Sequence, residues 1–225
     1  MTGPIIAIRP EPGLSATIAA GETLGLVIEG CPLSQAEPLD WDAPDPQRFD
    51  ALLIGSANAF RHGGAQLSRY RHLPVHAVGA VTAAAATESG FAVASVGEGG
   101  LQGVLDALNP PCRLLRLSGE ERLELAIPIG IEMTERAVYR IAQRPVRSKL
   151  ADRLHGALVL LHSAAAAEHF SSEIDRIGLL RNTVTLAALG PRILEAAGEG
   201  WRAIHAARRP SDAALLAMVR EVWHS

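Results

Sequence analysis

Apolar residues in this chain gather in short runs, and most runs stop at Gly or Ser just before a stretch of good helix formers. "PIIAIRP" reads as a buried strand, Ile5–Ile8, closed by Arg9-Pro10. "GLSATIAAGETLG" predicts a short helix and "LGLVIEG" the next strand. "CPLSQAEPLDWDAPDPQRF" breaks the pattern with four prolines and several acids, and predicts an irregular connection. Then the alternation becomes regular. A strand is predicted at Asp50–Ile54, a helix from Ala57, a strand in "PVHAVG", a helix in "AVTAAAATESG" stopped by Gly90, and a strand in "FAVASVG". In "GGLQGVLDALNPP", Leu101, Val104, Leu105 and Leu108 fall at helical spacing. "CRLLRLSG" predicts a strand, "EERLELAIP" a helix cut by Pro128, and "IEMTERAVYRIAQ" a strand.

After "RPVRSKL" the pattern restarts: strand "GALVLLHS", helix "AAAAEHF", strand "VTLAALG", helix "PRILEAAGEG", a short "WRAIHA" and a last helix from Ser211. That helix has an N-cap pair, Ser211-Asp212, and an apolar stripe of Leu215, Met218, Val219 and Val222. Strands alternating with helices imply the α/β class, with parallel sheets covered by helices. The restart also reads as an internal repeat. Ser56 in "DALLIGSANAFR" matches Ser163 in "HGALVLLHSAAAAEHF", and Gly79 matches Gly190 further on. The second copy is short of strands, which the N-terminal strand-helix-strand can supply. The expected layout is therefore nested. Residues 1–32 plus 146–225 form one α/β domain and residues 37–140 an inserted second one. The crossings fall near 31–38 and 139–149 and pair as a two-stranded linker.

Composition narrows the function. Hydrophobic residues make up 48% and charged residues 20% of the 225, which is a packed core and not disorder. A net charge of −3 and only 4% aromatics argue against nucleic acid and against an anionic membrane surface. Of the basic residues only Lys149 is a lysine, and arginine holds carboxylates with a planar fork. Cys31 and Cys112 are far apart and suit neither zinc nor a redox pair. The first residues lack the basic and long apolar regions of a signal peptide, and no apolar run approaches a bilayer span, so the expected location is the cytoplasm.

Ligands of open parallel sheets collect at the strands' carboxyl ends. Those ends carry Arg9-Pro10, Ser56-Ala57-Asn58, Gly79 to Thr82, Ser118-Gly119-Glu120, Ser163-Ala164 and Gly190-Pro191-Arg192. Small residues before helix starts let backbone N–H groups meet a carboxylate or phosphate. Each has a plain alternative: Ser56 and Ser163 as N-caps, Gly79 and Gly190 as turn formers. No phosphate-binding loop precedes Lys149, "VGEGGLQG" fails the dinucleotide fingerprint, and no nucleophile elbow, H-E-x-x-H or EF-hand is present. His155, His162 and His169 fall on different elements and read as solvated or core histidines, not one metal site. Arg116 and Arg122 flank "LSGEE" and suit either an anionic ligand or the surface. Tyr139 reads equally as a packed aromatic or as a phenol offered to a ligand.

Together and in order, "IAIRPEPG", "FDALLIGSANAF", "VHAVGAVTAAAATESGF", "RLLRLSGEERLELAIPIGIEMTERAVYR", "GALVLLHSAAAAEHF" and "AALGPRILEAAGEGW" resemble the uroporphyrinogen-III synthase family. The resemblance implies two similar flavodoxin-like domains on a two-stranded connection. It implies a lyase that cyclises the linear tetrapyrrole hydroxymethylbilane to uroporphyrinogen III, inverting ring D and losing water, in haem, sirohaem, cobalamin or chlorophyll biosynthesis. It implies no metal or organic cofactor, no nucleic-acid or membrane partner, a monomer, and a transient hand-over from the preceding pathway enzyme. On it, Tyr139 assists hydroxyl departure and Thr82 lines the cleft. Two departures stand out: Arg192-Ile193 follows Gly190-Pro191 where family members often have Thr, and Gly55 replaces a common Thr. The competing readings are a non-catalytic two-domain binder of a small polyanion and a degenerate paralogue.

Overall fold

The structure, a computed structural model, describes residues 3–223. In chain order its strands are β1 (Ile5–Ala7), β2 (Ile28–Gly30), β3 (Ser34–Pro38), β4 (Ala51–Ile54), β5 (Val75–Val78), β6 (Val93–Gly97), β7 (Cys112–Gly119), β8 (Ile131–Gln143), β9 (Leu158–Leu161), β10 (Thr185–Ala188) and β11 (Ala203–Ala206). Its α-helices are α1 (Gly13–Thr23), α2 (Asn58–His62), α3 (Ala80–Glu88), α4 (Leu101–Asp106), α5 (Ser148–Leu154), α6 (Ala164–Arg176), α7 (Pro191–Ala197) and α8 (Asp212–Trp223). The chain divides into two compact units, one up to Gln35 and from Ala142 onward, the other Ala36–Ile141.

The first unit holds a parallel five-stranded sheet in the order β11-β10-β9-β1-β2. Its inner strands β1 and β9 read as unbroken apolar runs because both faces are covered. Along β1 and β9, Ile5, Ala7, Leu158 and Leu160 face a core closed by Leu14 of α1 and by Leu215 and Val219 of α8. Ile6, Val159 and Leu161 face the other core, closed by Phe170 and Ile174 of α6 and Leu194 of α7. The order reverses between β1 and β9, which makes that gap the sheet's switch point.

The second unit's sheet runs β3-β8-β7-β4-β5-β6, with β8 to β6 all parallel. Here the order reverses between β4 and β7. Beside β8 lies β3, and the backbone bonds Arg144 N–H to Leu33 C=O and Leu39 N–H to Val138 C=O show that the two run in opposite directions. Both unit boundaries fall inside this pair.

Three expectations change. "EERLELAIP" is not a helix; residues 121–128 are irregular. Their backbone is held from outside: Arg116 donates to Leu123 C=O at 2.9 Å, and the Gln102 side chain bonds both Ala126 N–H and Ala126 C=O. With those groups taken and Pro128 at its end, the segment has little left to win from an i to i+4 ladder. The second crossing is shorter than expected, because α5 takes up "SKLADRL". The proline-rich connection is also better packed than a plain linker. Phe49 is buried, Trp41 stacks on Tyr70 at 6.0 Å, and Tyr70 Oη donates to Pro44 C=O at 2.6 Å.

Candidate active site

In the first unit, three adjacent strands deliver candidate residues to one sheet edge: Arg9-Pro10 after β1, Ser163-Ala164 after β9, Gly190-Pro191-Arg192 after β10. Ser163 is the N-cap of α6, its Oγ accepting from Ala166 N–H at 3.2 Å. That hydroxyl is spent on the helix, so what the turn can offer an anion is backbone N–H. Arg192 is exposed and makes no ion pair among the described residues. Gly190 is extended, at φ −176, with open space where a Cβ would stand, so nothing local demands glycine there.

Arg9 is differently placed. Its guanidinium turns inward: Nη1 donates to Asp212 Oδ2 at 2.9 Å and to Thr17 Oγ1 at 3.1 Å, while Thr17 Oγ1 donates to Asp212 Oδ2 at 2.8 Å. His162, just past the end of β9, completes the group. Its side chain is only 5% exposed, and Nε2 sits 3.1 Å from Asp212 Oδ1 but off the line of a good hydrogen bond. Burial, and next the charge of Arg9, push its pKa down to about 4, so the ring is neutral at neutral pH.

In the second unit, Ser56-Ala57-Asn58 follow β4, Gly79 to Thr82 follow β5, and Ser118-Gly119-Glu120 lie at the end of β7. Ser56 Oγ accepts from Asn58 N–H at 3.3 Å, again an internal use. Gly79 has φ +76 directly before α3, a conformation that favours glycine. Thr82 is buried in the first turn of α3. Ser118 is buried and donates to Gly119 C=O at 3.0 Å; Glu120 N–H donates to Tyr139 C=O at 2.9 Å. Leu101 fills the space beside Gly55, where a Cβ would meet it at 2.7 Å. This accounts for the missing side chain at that position.

Tyr139 stands beside the end of β7, and its ring lies against Gly119. A Cβ on residue 119 would stand 3.0 Å from Tyr139 Cζ and 3.2 Å from its Oη. The only other ring near it among the described residues is His62, on α2, at 6.3 Å between centroids. Burial, then the charge of Arg61, lowers the pKa of His62 below its ordinary value. The sequence offered no signal for His62, since the contact depends on α2 folding back toward β8.

Arg116, read as a ligand or surface candidate, is neither. It is 2% exposed and pairs with Glu135 at 2.6 Å, and Arg122 pairs with the same carboxylate at 2.9 Å. Among the described residues no three His, Cys, Asp or Glu side chains are placed to share a metal ion. No helix there is long and apolar enough to cross a membrane. A hollow of about 490 Å³ opens at the opposite, amino ends of the first unit's strands, lined by His155, Gly156, Thr185 and Arg202.

A family model described as HEM4, uroporphyrinogen-III synthase HemD, matches residues 15–217. A mutant uroporphyrinogen III synthase of Thermus thermophilus is 18% identical, with 99% of this chain and 100% of that one covered and a TM-score of 0.50. The wild-type structure from the same organism is 18% identical over 97% of each chain, with a TM-score of 0.44. No curated protein matches the chain.

Proposed function

Since the chain belongs to the uroporphyrinogen-III synthase family, we propose that it cyclises hydroxymethylbilane to uroporphyrinogen III. The observation that carries the reading is Tyr139, a phenol laid over a bare Gly119 at a strand end, within a chain whose family match runs almost its whole length.

The substrate carries a carboxylate on every acetate and propionate arm. Turns at the strands' carboxyl ends hold such arms through backbone N–H groups, helped in the first unit by the α6 N-terminus and the exposed Arg192. Tyr139 Oη donates to the departing hydroxyl, which leaves as water. The resulting cation is delocalised over a pyrrole and is already reactive. The protein then holds ring D so that its substituted carbon attacks and a spiro intermediate forms, in place of attack by the free carbon; the older bond from that carbon to the methylene of the neighbouring pyrrole then breaks, and the freed methylene cation bonds to ring D's free carbon. A proton is lost when the macrocycle closes. The catalytic contribution is mainly orientation and support of developing charge. This reading carries with it a monomer in the cytoplasm that receives its substrate from the enzyme producing it.

The test is to supply hydroxymethylbilane and identify the isomer. Uroporphyrinogen III is expected. Formation of the spontaneous type I macrocycle alone refutes the proposal and leaves the polyanion binder and the degenerate paralogue.

A further inference from the structure

We propose that Arg9, Thr17 and Asp212 form a positioning cluster for the first unit's arm-binding turns, with Arg9 serving the substrate through those turns and not by touching it. The inference rests on the synthase reading above.

The cluster ties together elements far apart in the chain. Arg9 belongs to the turn after β1, Thr17 to α1, and Asp212 is the first residue of α8. His162 follows β9 and directly precedes Ser163, the cap of α6. Three hydrogen bonds of 2.8 to 3.1 Å close a triangle among Arg9, Thr17 and Asp212. Thr17 is fully buried, whereas Arg9 and Asp212 are each 28% exposed. The start of α1 is shaped to admit the guanidinium, since a Cβ on Gly13 would fall 2.5 Å from Arg9 Nε and Nη2. The charges also balance as they stand. One carboxylate meets one guanidinium, and His162, with an unpartnered and buried Nδ1, adds no second cation while it is neutral. A charge-assisted, closed triangle of this kind is a stiff brace. Its Arg9 corner lies in the turn on the β1 side of the sheet's switch point, and on the β9 side His162, directly before Ser163, lies 3.1 Å from its Asp212 corner without a hydrogen bond. Arg9 donates only through Nη1, its Nε and Nη2 lie against Gly13, and Asp212 already balances its charge, which weakens its pull on a substrate carboxylate.

The sign of one effect separates bracing from contact. If Arg9 grips an arm directly, Asp212→Asn frees the guanidinium and lowers KM. If the cluster braces the turns, Asp212→Asn raises KM, by about tenfold, and kcat per folded molecule changes much less. Steady-state kinetics with hydroxymethylbilane on the full chain decide it, with circular dichroism fixing the folded fraction. Arg9→Gln and Arg9→Gln/Asp212→Asn complete a cycle, and bracing predicts a double variant no worse than the worse single one. Thr17→Val removes one hydroxyl from the triangle and gives a smaller KM rise should Asp212→Asn not fold. A KM lowered or unmoved in Asp212→Asn or in Thr17→Val, or a loss confined to kcat, overturns the proposal while the wild type's turnover upholds the synthase reading. A wild type without turnover overturns both.

Discussion

Acid should loosen the first unit through His162, by an amount the structure sets. The imidazole is 5% exposed and faces the guanidinium of Arg9 and the carboxylate of Asp212, which Thr17 also bonds. Its folded pKa of about 4 lies below the ordinary 6.5. Between these values the unfolded chain holds a proton that the folded chain refuses. Stability is therefore untouched above pH ~7, falls as pH drops through 6.5, and stops falling for this reason below pH 4. The gap of roughly 2.5 pH units corresponds to about 3 kcal/mol in full and about 2 kcal/mol by pH 5.

Carboxylates do not confuse this window. Asp50, Glu173 and Asp175 are held below their ordinary range by hydrogen bonds from Arg113, Arg176 and Arg181, and they stay ionised at pH 5. Burial also lowers the pKa of His62 and His76, both in the second unit, so a variant is needed. The chain has three tryptophans; Trp201 and Trp223 lie in the first unit and Trp41 in the second. Urea unfolding followed by fluorescence in a Trp41→Phe background reports on the first unit alone. Between pH 7 and pH 5 that protein should lose about 2 kcal/mol more than the same protein carrying His162→Gln. Equal losses, within about 0.5 kcal/mol, would refute the reasoning.

Three further outcomes follow from single contacts. Tyr139→Phe should lower kcat by about a hundredfold with the thermal midpoint held, and Gly119→Ala should lower it as well by displacing the ring; full activity in Tyr139→Phe removes the phenol from the reaction. Ser163→Ala should cost about 1 kcal/mol in urea unfolding through the lost cap, with only a mild rise in KM, since the hydroxyl is already bonded to Ala166 N–H. Glu135→Gln should cost about 3 kcal/mol, because it strands the buried Arg116 charge with only Leu123 C=O as a full partner; a loss under about 1 kcal/mol, again by urea unfolding, would show that the residual carbonyl contact is enough.

The backbone layout was legible because its causes are local. Apolar runs such as Leu158–Leu161 and Ala51–Ile54 have nowhere to go but a sheet covered on both faces, and the helices between them carry their own stripes and stops. The failure at 121–128 has an equally definite cause. "EERLELA" is good helix sequence, but Arg116 and Gln102 reach in and take its backbone groups. The side-chain network at the first unit's edge was invisible for a third reason. Arg9 and Asp212 stand 203 positions apart, and no local rule pairs them. Arg9 alone reads as a ligand for an anion; only the folded chain shows it paired with Asp212.

The repeat itself is informative where its two copies differ. Ser163 caps a helix of 13 residues, whereas Ser56 stands one residue before Ala57, the N-cap of a helix of five. Gly79 needs its φ of +76, whereas Gly190 at −176 does not need to be glycine at all. A helix dipole grows with aligned peptides and acts on its first turn, so the α6 end is the better seat for a carboxylate than the short α2. The second unit has in exchange what the first lacks, a phenol packed over a buried glycine. The two copies thus keep one strand-end layout and divide the work. On the proposed function, arm binding weighs on the first unit and chemistry on the second, so lesions at Asp212 should register in KM and lesions at Tyr139 in kcat.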